Sequence, residues 1–383
     1  MTSLPAAALA AAWRASLADH AVVHLDAAGC ACPSRAVLDA TVTHLRREAA
    51  VGGYAAEAEV APVLRTLHGR LGALVDLDGD DVALAPNATA AFATLLGAWP
   101  LPDGARVATV RSDYESNRLA LRALAARRAL GVVDLPTDGV GRLDVDALPG
   151  QLRGVDLLTF PVVASQRGVV QPAAAAVSQA HDAGVPVILD VAQAAGQVPI
   201  THLGADGYVG TSRKWLRGPR GTGWLAAPAA AAARLEPAYP SLVGRAAEGV
   251  GRLATGEASV AARVGLAVAL GELAAETEPV FARIAALGAY ARDRLDGVGG
   301  WRAQEPRDEP SGIVTLAHPT KNPVAVADGQ RDAAEDLVAV HRHVEVLDLQ
   351  GRKRGRGGAH YPAVYCHYRR SENSRRSRSS GSQ

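Results

Sequence analysis

Between Val82 and Ala226, short β-branched runs alternate with Ala- and Leu-rich stretches of helical length, and this limits the fold more than any other feature. The runs Val82–Ala85, Arg106–Val110, Val132–Leu135, Leu157–Phe160, Val185–Asp190, Tyr208–Thr211 and Gly223–Ala226 read as seven strands. Ala88–Ala98, Arg118–Ala129 and Pro172–Ala183 read as helices between them. A helix that carries the chain back over a sheet sets the next strand parallel to the last. The pattern therefore describes an α/β fold with a mostly parallel seven-stranded sheet covered on both faces. Sites in such sheets form at the C-terminal ends of the strands. A helix over Ser259–Glu276, continued by amphipathic helix through residues 261–297, leads to a second, smaller C-terminal α/β unit of atypical texture. The expected division is an N-terminal segment 1–20, a large domain 21–258, a small and incomplete domain 259–350, and a basic, disordered tail 351–383.

With 48% hydrophobic and 21% charged residues, the 383-residue chain fits neither a disordered nor a membrane-embedded class. No run approaches the roughly 18 to 20 apolar residues of a membrane span. The N-terminal stretch has no basic leader ahead of its short apolar run. Three cysteines, Cys30, Cys32 and Cys366, are too few for a disulfide framework, and the expected compartment is the cytoplasm. Residues 351–383 hold nine basic groups and one acid, a charge of +8, which leaves −7 on the rest of the chain. An acidic body argues against a nucleic-acid surface on the folded part. The tail alone keeps a basic-tailed nucleic-acid-binding protein as the non-enzymatic alternative.

Forty basic side chains include only three lysines, Lys214, Lys321 and Lys353. Arginine stays protonated and cannot act as an amine, so amine chemistry on the body of the chain falls to Lys214. Lys214 follows a strand and enters the loop Ser212-Arg-Lys-Trp-Leu-Arg-Gly-Pro-Arg-Gly-Thr-Gly223. A partly desolvated lysine among cations loses basicity and suits capture of a carbonyl; a solvated lysine beside a turn is the plainer reading. Twenty-four residues earlier, Val185-Pro-Val-Ile-Leu-Asp190-Val-Ala-Gln193 ends a buried strand on an acid. That acid either pairs with a positive ring nitrogen or caps a helix. Ala85-Pro-Asn87-Ala88-Thr89-Ala90 opens an Ala-rich helix, and is either an anion site or an ordinary N-cap at Asn87.

An anion site, an acid for a ring nitrogen and a reactive lysine are together the parts that hold pyridoxal 5'-phosphate. Their order and spacing, above all Asp190-x-x-Gln193 and Lys214 followed by Gly218-Pro219-x-Gly221-x-Gly223, resemble the class V aminotransferase family of fold-type I pyridoxal phosphate enzymes. The resemblance implies that Lys214 carries the cofactor, that Asp190 holds the ring nitrogen and that Gln193 contacts the ring hydroxyl. It places Asn87, Ala88, Thr89, Thr211 and Arg213 on the phosphate side, with Arg213 where the family more often has His. Tyr114, in Ser112-Asp-Tyr-Glu-Ser-Asn117, falls at the ring-stacking position, and Ser165 falls where many members carry Asn. A homodimer is also implied.

Ser212-Arg-Lys-Trp-Leu216, Gly256-Glu-Ala-Ser-Val-Ala-Ala-Arg-Val-Gly265 and Val51-Gly-Gly-Tyr54 are similar to the carbon–sulfur lyase branch of that family, which serves ergothioneine biosynthesis. By that likeness the partner is a small-molecule cysteine conjugate, hercynylcysteine sulfoxide, split by β-elimination to pyruvate, ammonia and a sulfur product that becomes ergothioneine after reduction. Glu257 stands where most members have the Thr of Gly-Thr-Pro, and a carboxylate there suits a trimethylammonium group. The rival within the family is a cysteine desulfurase, which needs a nucleophilic Cys on a mobile loop. Cys30 and Cys32 are far from that loop in sequence, and Cys366 lacks its surrounding motif. Members also carry a small-domain arginine, in a segment like Leu-Arg-Ile-Ser-Pro-His, that clamps the substrate carboxylate. This chain has no such segment, and Arg342, Arg352 and Arg369 are the stand-ins it offers.

Overall fold

A computed structural model describes residues 6–17, 24–320 and 363–366. Its main sheet contains β1 (Val82–Ala85), β2 (Arg106–Val110), β3 (Gly131–Leu135), β4 (Leu157–Pro161), β5 (Val187–Asp190), β6 (Gly207–Thr211) and β7 (Gly223–Ala226) in the order β1-β7-β6-β5-β4-β2-β3. β7 runs antiparallel to both neighbours, and the pairs β6–β5, β5–β4, β4–β2 and β2–β3 are parallel. The expected mostly parallel, seven-stranded α/β sheet is present.

Successive strand residues point to opposite faces, and both faces are covered. Leu157, Ile188, Val209 and Leu225 pack into one core with Phe92 and Leu95. Leu158, Leu189, Tyr208 and Trp224 pack into the other with Leu67 and Leu71. That double burial is why the strands read as unbroken apolar runs. β5 starts at Val187, two residues later than the sequence suggests, because Pro186 has no N–H for the ladder. The helix Glu115–Arg128 starts three residues earlier than expected, because Asp113 Oδ1 accepts from the backbone N–H of its N-cap, Tyr114, at 2.7 Å and Glu115 stands in its first turn.

Two long helices, Arg35–Val51 and Gly53–Ala73, precede the sheet and pack on the helix Val260–Ala275. The latter starts at the N-cap Ser259, whose side chain accepts from Ala262 N. After the helix Thr277–Leu295 come β8 (Arg302–Ala303) and β9 (Ile313–Ala317), and β10 (Ala363–Cys366) completes a three-stranded sheet in the order β10-β9-β8. β10 pairs parallel to β9, with Ala363 opposite Ile313 and Cys366 opposite Leu316. The expectation of a structureless segment over 351–383 is therefore corrected at these four residues. Ala-Val-Tyr-Cys is a β-prone island in a charged stretch, and β9 offers it a row of backbone partners. Lys321, Lys353, Arg342, Arg352 and Arg369 lie outside the described residues. No described helix is long and apolar enough to cross a membrane.

Candidate functional site

The C-terminal ends of β1, β5 and β6 converge. Asn87 comes two residues after β1, Asp190 is the last residue of β5, and Lys214 lies three residues beyond β6. In the ladder Gly223, at the start of β7, faces Ala85 on one side and Thr211 on the other. A Cβ on Gly223 would come within 2.4 Å of the Asn87 carbonyl carbon and 2.8 Å of Ala88 N. Only a residue without a side chain lets the helix Ala88–Ala98 begin directly over the sheet end. Asn87 is the cap of that helix, its Oδ1 accepting from Ala90 N at 2.9 Å, and it also lines the cavity. The cap thus stands at the cavity wall.

A cavity of about 430 Å³ opens at this junction. Asn87, Ala88, Thr89, Tyr114, Ser165, Asp190, Gln193, Thr211, Arg213 and Lys214 all line it, so ten residues spread over 128 positions meet at one place. Gly221 of the Gly-Pro-x-Gly-x-Gly motif lines it too, and so does Arg220, at an unspecified position of that motif. Glu257 is not among the lining residues. It is exposed and accepts a 3.2 Å hydrogen bond from Tyr54 Oη, so two of the segments used for the narrower resemblance touch each other away from the cavity.

Lys214 is 8% exposed and makes no ion pair among the described residues. Burial lowers its pKa to about 8, opposed by the Asp190 charge and assisted by Arg213. Its Nζ stands 5.7 Å from the centre of the Tyr114 ring. Asp190 accepts from Ala192 N through Oδ1 and from Asn117 Nδ2 through Oδ2, each at 2.8 Å. Gln193 donates to Ala28 O at 3.1 Å and accepts from Trp215 Nε1 at 2.8 Å. The turn after Gln193 meets the lysine loop at Gly196, which has φ +92° and whose absent Cβ would lie 2.7 Å from the Trp215 carbonyl carbon. The loop 24–34 closes from the other side, with Ala31 N donating to Arg213 O at 2.8 Å. Asn117 and its partner Asp113 had no part in the sequence reading. Their signal was available in the i, i+4 spacing of two polar residues at the start of an amphipathic helix.

The donor set fits pyridoxal phosphate. A helix N-terminus with Thr89, Thr211, Arg213 and Arg220 around it suits a phosphate. A buried carboxylate suits a cationic ring nitrogen, and an amine of reduced basicity suits a carbonyl. Residues 23–331 match the family model described as aminotransferase class-V. The chain is 40% identical over 313 residues, 81% of its length and 78% of the relative's, to a Mycobacterium tuberculosis protein named "Probable hercynylcysteine sulfoxide lyase". It is 29% identical to the isopenicillin N epimerase of Amycolatopsis lactamdurans, over 54% of each chain, so it spans about half of that relative. The crystal structure of the cysteine desulfurase CsdA from Escherichia coli superposes with a TM-score of 0.75 at 20% identity, covering 88% of this chain and 98% of that one. The fold and the family match agree: this chain belongs to the class V aminotransferase family. It is an enzyme whose cofactor is pyridoxal phosphate.

Proposed function

We propose that this enzyme is a carbon–sulfur lyase that cleaves a cysteine-conjugate sulfoxide by β-elimination, with hercynylcysteine sulfoxide as substrate and with pyruvate and ammonia released from its cysteine part. The observation that carries the reading is the 40% identity to the Mycobacterium tuberculosis protein named as a probable lyase, across four fifths of the chain. Pyridoxal phosphate, when bound, supplies an electron sink that makes the substrate Cα–H acidic. Lys214 would hold the cofactor carbonyl through Nζ, and its free amine would take the substrate Cα proton. Its lowered pKa keeps a share of the amine neutral near pH 7, as a base must be. Asp190 holds the ring nitrogen in its protonated form. Asn87, Ala88, Thr89, Thr211 and Arg213 bind phosphate, Gln193 orients the ring hydroxyl, and Tyr114 and Ser165 border the ring. The Cβ–S bond breaks with its electron pair on sulfur. A sulfoxide substrate thus releases a sulfenic acid, which requires a two-electron reduction to become ergothioneine.

A homodimer is part of the proposal. Tyr54 is 80% exposed, Tyr239 83% and Leu242 86%, and such an assembly would give them apolar surface to cover. In that assembly Glu257, beside Tyr54, reaches a site as the partner's contribution and meets the substrate cation. A cysteine desulfurase is disfavoured by the cavity. Cys30 and Cys32 are half-buried outside its lining, so neither stands among the residues that face the cavity.

The test is a spectrum of the purified protein before and after borohydride, followed by product analysis. Visible absorbance bleached by borohydride, a reduced adduct mapped to Lys214, and pyruvate released from S-substituted cysteine sulfoxides are expected. Retained turnover in Lys214→Ala, or alanine and persulfide formed from cysteine as the main products, overturns it.

A further inference from the structure

Behind Asp190 lies a second carboxylate joined to it by one amide. Asn117, 1% exposed, points Nδ2 at both acids, 2.8 Å from Asp190 Oδ2 and 3.1 Å from Asp113 Oδ1. Asp113 is equally buried. Its Oδ2 accepts from Thr109 Oγ1 at 2.9 Å and its Oδ1 accepts from the backbone N–H of Tyr114 at 2.7 Å. The chain of bonds thus runs from β2 through the following turn and the helix Glu115–Arg128 to the end of β5, and it includes the backbone of the tyrosine that borders the cavity.

We propose that Asn117, oriented by Asp113, is a positioning residue that keeps Asp190 aimed at the cofactor's ring nitrogen, while Asp113 anchors Tyr114 in the same network. The inference rests on the reading of Asp190 as the ring-nitrogen partner. The amide has hydrogens to give to both acids, and donation favours the charged form of a carboxylate. With Asn117 and Ala192 N each satisfying one oxygen, the remaining acceptor capacity of Asp190 is directed to the cavity it lines. Two buried carboxylates so close repel each other. Burial, and then the Asp190 charge, push Asp113 up to about 7. Removing Asn117 leaves Asp190 Oδ2 without its donor, and the carboxylate is then free to turn away from the cavity.

The experiment is equilibrium binding of pyridoxal phosphate to cofactor-free, full-length protein, with steady-state kinetics on a cysteine-conjugate sulfoxide. Asn117→Ala is expected to bind cofactor about ten- to a hundredfold more weakly, the range for a lost hydrogen bond to a charged group. In the loaded enzyme kcat falls while KM for the conjugate stays within about twofold. Asp113→Ala weakens cofactor binding by a smaller factor, and Asp113→Asn restores most of it, because its amide oxygen still accepts from Asn117 and Tyr114 N. A merely structural pair would lower the melting temperature of the apoprotein and leave the cofactor affinity of the folded fraction intact. Wild-type affinity in Asn117→Ala overturns the inference. If that variant does not fold, equal affinities in Asp113→Ala and Asp113→Asn overturn it. Wild-type protein that takes up no pyridoxal phosphate removes the reading of the site itself, and this inference with it.

Discussion

Trp215 donates its indole N–H to Gln193 Oε1 across 2.8 Å, so the residue after Lys214 is tied to the residue three beyond Asp190. Gln193 is tied in turn to loop 24–34 through Ala28 O, and its own carbonyl accepts from Gln197 Nε2. One buried amide thereby fixes the distance between the lysine loop and the β5 end. Trp215→Phe keeps most of the apolar packing but leaves a buried acceptor without its donor, a loss of about 1–3 kcal/mol. Thermal unfolding of the apoprotein should show that loss, and the cofactor absorbance should broaden as Gln193 becomes free to turn.

Cofactor capture should follow the basicity of Lys214. Burial favours the neutral amine, so the reactive form accumulates as pH rises through about 8, where an ordinary lysine would still be protonated. Stopped-flow absorbance of the apoprotein with pyridoxal phosphate should give a rate that climbs with a midpoint near that value and then levels. Asp190→Asn should move the midpoint lower, because the Asp190 charge is what holds it up. A rate still rising steeply above pH 10 would contradict the burial argument.

Glu305 supplies a stability prediction. It is 6% exposed; Oε2 accepts from Thr315 N at 2.9 Å, while Oε1 is buried without a hydrogen bond. Burial raises its pKa from 4.5 to about 7. Between those values the folded state holds a proton that the unfolded state has released, so stability falls as pH rises through that window and is flat above it. Glu305→Gln keeps an acceptor for Thr315 N and cannot ionise. Its melting temperature should decline less than that of the wild type between pH 4.5 and 7, and should be higher than the wild type's at pH 8.

Gly223→Ala tests the close approach beneath the helix Ala88–Ala98. The new methyl meets backbone at Asn87 and Ala88, which cannot rotate away as a side chain would. Overpacking of this kind costs about 1–3 kcal/mol. The displaced helix start should also weaken pyridoxal phosphate binding beyond what the stability loss alone explains, read as a fall in affinity at a temperature where the variant is folded.

The main sheet was legible because its strands are buried on both faces and therefore stand out as apolar runs, and because Asp190, Asn87 and Lys214 sit at or just past strand ends. The sequence also marks helix starts where a local cap exists, as at Ser259. Contacts between distant segments were not legible. The Asn117–Asp190 bond spans 73 positions and the Gln193–Ala28 bond 165, and no local pattern encodes either. The helices Arg35–Val51 and Gly53–Ala73 escaped the reading because it followed strand runs, which begin only at Val82. β8 and β10, at two and four residues, owe their conformation to the partners on β9 more than to their own composition.

β10 covers the outer side of β9, and this decides how the chain tolerates shortening. A protein cut after residue 320 would present the peptide row of Ile313–Ala317 to water along one side. An apolar strand with a free edge recruits other strands, so such a truncation is a template for aggregation and not a minimal catalytic unit. Ala363–Cys366 act as a shield against self-association, a role that the charged sequence around them does not advertise.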